Sequence, residues 1–136
     1  MQRIKKLIIG AVIAFPVIGG ALPASAAVNV YSPSATCTIG FDLVPKVEGN
    51  AYLLAQTNTT IYWSADVRLF YGGAWHTVQR MPVTSRAGGG YADAIFSPSN
   101  GYSWDGYNAY VLYWVWDNKG YGYRWYSYST NSCVVP

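Results

Sequence analysis

Cys37 and Cys133 are the only cysteines in the 136-residue chain, one near the start of its strand-rich part and the other three residues from the last. A disulfide needs its Cα atoms within about 4.4–6.8 Å of each other. Joining these positions therefore obliges the fold to bring its first and last elements side by side. The N-terminus makes that pairing expected. Arg3, Lys5 and Lys6 precede an apolar run from Leu7 to Ile18, and Ala24-Ser25-Ala26 supplies small residues for cleavage, the pattern of a secretory signal peptide. The run is too short to remain as a membrane-spanning helix, and no other stretch is long and apolar enough to be one. Residues 1–26 are thus read as a signal peptide, and 27–136 as one secreted, extracellular domain of about 110 residues. Export favours a structural disulfide. Closing so long a loop contributes up to about 4.7 kcal/mol in the chain-entropy picture. Two cysteines and the single His76 are too few ligands for a metal site, so neither metal nor cofactor is expected.

Removing the signal peptide also removes the charge excess. The formal net charge of +3 resides in Arg3, Lys5 and Lys6; the six remaining cations face six acids. A nucleic-acid partner would require a basic face to displace counterions from phosphates. Docking on an anionic membrane would need a basic cluster as well. Neither is present in the sequence.

Strand signals run through the domain, with Val, Ile, Thr, Tyr and Trp between Gly-rich turns. "CTIGFDL" alternates so that Cys37, Ile39, Phe41 and Leu43 share a core side, and Pro45 with "VEGN" reads as the turn that stops it. Gly72-Gly73 predicts a hairpin tip, setting Leu69 opposite His76, Arg68 opposite Thr77 and Val67 opposite Val78. Asp66, Arg68, Thr77 and Gln79 then fall on its wet side. A further strand is expected near Tyr91–Phe96. Asp117-Asn118-Lys119-Gly120 predicts a second tip, in a register that pairs Val115 with Tyr123 and Trp114 with Arg124. About seven short strands closed by an end-to-end disulfide predict an all-β, small antiparallel β-sandwich of immunoglobulin-like or fibronectin III-like architecture.

Nine of the twenty-one residues from Tyr110 to Thr130 are Tyr or Trp. On the expected register, Val111, Tyr113 and Val115 line the core. Tyr110, Trp114, Trp116, Arg124, Tyr126 and Tyr128 share the opposite face. A guanidinium is rarely buried unpaired, so that face should reach water. The polar loop from Ser97 to Gly106 adds Tyr102 and Trp104 as candidate binding residues, since loops commonly carry function. Exposed rings suit the C–H faces of sugars and equally the anchors of protein interfaces. The alternative is that rings fill both faces of a central hairpin.

Catalytic residue types are scarce. Any histidine-dependent triad must use His76, no nucleophile elbow is present, and Asp93 with Asp105 is the least implausible acid pair for glycoside chemistry. The expectation is a secreted, non-enzymatic binding module for polysaccharide or cell-envelope material. The alternatives are a protein-binding effector, inhibitor or toxin-like, and a self-associating coat or matrix protein.

Overall fold

A computed structural model of the protein describes residues 27–55, 59–99 and 103–136. The signal peptide expected at residues 1–26 and the candidate Tyr102 lie outside the described residues. The chain is all-β: β1 Asn29–Ile39, β2 Pro45–Leu54, β3 Thr60–Tyr71, β4 Ala74–Arg80, β5 Thr84–Ala87, β6 Gly89–Phe96, β7 Asn108–Asn118, β8 Tyr123–Ser129 and β9 Cys133–Val134. One antiparallel sheet has the order β1-β2-β6. The other has the order β4-β3-β7-β8, with β5 also on β3 and β9 also on β7.

Period-two alternation decides which side of each strand is buried. Odd positions of β3 (Ile61, Trp63, Ala65, Val67, Leu69) and of β7 (Ala109, Val111, Tyr113, Val115) are buried with Val47, Ala51 and Leu53 of β2 and Ala92, Ala94 and Phe96 of β6, forming one core cluster between the sheets. Bulk on one sheet meets small residues on the other. The Tyr113 ring packs 5.8 Å from that of Trp63, and its hydroxyl donates to the Ala92 carbonyl across the core at 2.7 Å. A Cβ at Gly49 would lie 2.9 Å from both the Tyr113 hydroxyl and Val111. "VEGN" is therefore part of β2 rather than a turn: the glycine is there to admit Tyr113, not to bend the chain.

The disulfide forms between Cys37 of β1 and Cys133 of β9, with Cα atoms 5.7 Å apart. It links an outer strand of the first sheet to the second. β1 starts earlier than the alternation suggests and ends at Ile39. Leu43 adopts φ +62°, and the Leu43 amide donates to the Gly40 carbonyl at 3.0 Å, closing a tight turn. Phe41 and Leu43 are consequently exposed at its tip instead of buried.

The Gly72-Gly73 hairpin forms as expected, both glycines taking positive φ. Leu69 pairs with His76 and Arg68 with Thr77, but a bulge at Val78 sets Val67 opposite Gln79. Asp66, expected on a wet side, is fully enclosed. The last hairpin departs further: Asn118 pairs with Tyr123, Trp116 with Trp125 and Val115 with Tyr126. The loop is Lys119–Gly122. Its shape is held by the Asn118 side-chain oxygen, which accepts the amides of Gly120 and Gly122 at 2.9 and 3.2 Å. An odd shift in register exchanges the faces of β8. Trp125 moves to the outer side, while Arg124, Tyr126 and Tyr128 move to the side of Val115 and Asp117.

Candidate functional site

The outward face of the six-stranded sheet collects the even positions of β3 and β7. At one end Tyr62 pairs with Trp116, and Trp116 with Trp125, in a row across β3, β7 and β8. Tyr123 stacks on Trp116, ring centroids 5.9 Å apart and planes 16° from parallel. Trp125 tilts against Trp116 at 5.4 Å. Tyr62 keeps 46 % of its surface exposed, and Trp116, Tyr123 and Trp125 are half-buried. At the opposite end the Trp75 ring meets Tyr110 edge-on at 4.7 Å and Phe70 at 5.2 Å. The Arg68 guanidinium lies over Tyr110 at 6.0 Å, within cation–π range.

Between these ends lies a polar anchor. Asp66 accepts two bonds from Arg80, from Nε at 2.5 Å and Nη2 at 2.8 Å, and a third from Trp114 Nε1 at 3.0 Å. The hydrogen bond to Asp66 raises the Arg80 pKa; partial burial opposes the shift, and the nearby carboxylate charge reinforces it. Trp114 retains only 8 % exposure. Its ring is thus structural, fixed by Asp66.

The structure divides the residues singled out from sequence. Tyr110, Trp114 and Trp116 do share the outward face. Arg124, Tyr126 and Tyr128 do not. Arg124 is exposed and donates to the Tyr121 carbonyl at 3.2 Å. The cation over Tyr126 and Tyr128 is instead Lys119, at 5.2 and 5.9 Å. Burial lowers the Lys119 pKa, but hydrogen bonds and charge interactions with Tyr128 and Asp117 leave it above its ordinary value. Trp104, expected on a surface loop, is 4 % exposed and belongs to the core cluster. Tyr62, Tyr123 and Trp125 were missed. Parity in "TIYWSADV" places Tyr62 opposite the buried Ile61 and Trp63, so its position was readable; those of Tyr123 and Trp125 depended on the register.

Two other features carry surface chemistry. The first sheet presents Tyr31, Tyr52 and Tyr91 side by side, centroids 6.5 and 5.1 Å apart, next to an Asn50–Asp93 hydrogen bond. Where β4 extends toward the connection after β6, a cleft of about 540 Å³ is lined by Leu69, Tyr71, Thr77, Val78, Gln79, Ser99, Ser103, Trp104 and Tyr107.

His76, the residue on which a triad would depend, stacks on Tyr71 at 4.0 Å and bonds the Tyr71 carbonyl at 3.1 Å through Nε2. Its imidazole is thereby engaged in packing the hairpin tip. Among the described residues no group of three or more His, Cys, Asp or Glu side chains is arranged to hold a metal ion, and no helix is long and apolar enough to cross a membrane. No protein-family model and no curated protein matches this chain.

Proposed function

We propose that this is an exported, non-enzymatic binding module that grips neutral polysaccharide or cell-envelope material on the Tyr62–Trp116–Trp125 strip. The observation that carries the reading is the row of rings on three adjacent strands. Trp116 is held there by its contacts with Tyr123 and Trp125. A sugar chain laid across the strands would rest its C–H faces on successive rings. The balanced charge of the mature domain suits an uncharged polymer, and a disulfide suits an extracellular setting. Two antiparallel sheets, β1-β2-β6 against a six-stranded sheet built on the path β4-β3-β7-β8, support a sandwich of fibronectin III-like type.

The test is retention of the domain from Ala27 onward on insoluble polysaccharides and whole cell walls. Trp125→Ala should fold, as judged by near-UV circular dichroism, and lose retention. Retention that survives both Trp125→Ala and Tyr62→Ala would refute the strip. A protein partner is the second reading, favoured by one observation: Phe41 and Leu43 stand exposed together at the β1–β2 tip, away from the strip. Under that reading Phe41→Ser abolishes capture of a partner while Trp125→Ala does not.

A further inference from the structure

The cleft beside β4 is formed differently from the strip. Its floor is Leu69 and Trp104, both buried. Tyr71 and Tyr107 form a wall, meeting edge to face with centroids 6.0 Å apart. His76 stacks behind Tyr71, so that wall is braced. The connection after β6 is tied to β4 by Gln79, whose Nε2 donates to the Ser97 carbonyl at 2.6 Å. It is tied to the C-terminus where the Val135 amide donates to the Tyr107 carbonyl and the Gly106 amide to the Val135 carbonyl, at 2.9 and 2.8 Å.

The lining chemistry is selective. Among the described residues no charged side chain lines it. Its polar lining residues are Thr77, Gln79, Ser99 and Ser103, with Tyr71 and Tyr107. An anion would find no cation here, and a cation no carboxylate. A purely apolar ligand would leave several polar groups without partners, a loss wherever they are buried. A ring carrying hydroxyls on its edge and C–H groups on its faces satisfies both the aromatic and the polar lining. The volume of about 540 Å³ lies within the range of small-ligand sites, roughly 300–1,000 Å³.

We propose that this cleft binds the end of a neutral oligosaccharide. It is a second site, independent of the strip on the outward sheet face. The strip would hold the flank of a polymer, whereas the cleft receives a terminus. Tyr107 supplies the stacking surface, and the Gln79 amide oxygen, left free by its Nε2 bond, accepts from a sugar hydroxyl.

The experiment is isothermal titration of the mature domain with soluble cello-, xylo-, manno- and chito-hexaose, and with hexagalacturonate as the charged counterpart. One neutral series is expected to bind with one-to-one stoichiometry. Tyr107→Ala and Gln79→Leu should each weaken it by about tenfold or more, with near-UV circular dichroism unchanged. Trp125→Ala should leave that titration intact even where it abolishes retention on insoluble polymer, so the two sites fail separately. Two cleft variants guard against a folding defect in either one. The proposal is overturned if no neutral hexaose binds, if both cleft variants bind as the parent does, or if hexagalacturonate binds equally well.

Discussion

Asp66 is fully enclosed on a sheet face that elsewhere opens to solvent, and the Arg80 side chain paired with it keeps 29 % exposure. The two partners are therefore not equivalent in mutation. Asp66→Asn loses charge-assisted hydrogen bonds worth roughly 1.5–3 kcal/mol, but the Arg80 side chain can turn to water. Arg80→Met leaves an enclosed carboxylate with only the indole of Trp114, and stranding a buried charge costs about 3–5 kcal/mol. Urea titrations should rank Arg80→Met as the more destabilised; the reverse order would show that Arg80 contributes little to holding Asp66. Tyr113 has a distinct pH signature. Burial first, then the Asp93 and Glu48 carboxylates, hold its phenol well above the ordinary value of 10.0. The native state therefore keeps a proton that the unfolded chain releases above pH of about 10. This contribution to stability is complete below that pH and declines as pH rises beyond it. Denaturant midpoints should fall less steeply in Tyr113→Phe than in the parent over the alkaline range. Parallel curves would assign the alkaline loss to other tyrosines.

The strands differ in how much of them was legible. β7 was read correctly because Val111, Tyr113 and Val115 alternate without interruption over a buried stripe. The β3–β4 tip was legible because two adjacent glycines leave few alternatives. β8 was not. Two glycines flank Tyr121, and the sequence does not say which of them closes the loop; the choice falls to Asn118, whose side chain gathers both amides. That single preference moved Trp125 into the candidate site and Tyr126 and Tyr128 out of it. The first half of β2 reads as a turn in the sequence for a related reason: a glycine suited to a cross-core approach looks the same in sequence as one suited to a bend. Gly49→Ala should accordingly destabilise by about 1–3 kcal/mol through overpacking, read as a lower melting temperature. Wild-type stability would mean that Tyr113 and Val111 yield without strain.

At the scale of the whole molecule, residues 27–136 carry six cations and six acids, so the proposed binding to a neutral polymer should barely respond to salt, since there are few counterions to release. A retention assay repeated from low to high ionic strength checks this, and a steep loss would point to an anionic partner. The Cys37–Cys133 bond has a consequence of a mechanical kind. A tether pulling on the two ends of residues 27–136 transmits tension through the sulfur atoms, bypassing everything from β2 to β8. Only the stretch before Cys37 and the last residues after Cys133 can be peeled away. In single-molecule pulling, the oxidised domain should lengthen by no more than those flanks, and reductant should release the loop between the cysteines. The sheets between the two cysteines would then stay folded under shear for as long as the bond is oxidised.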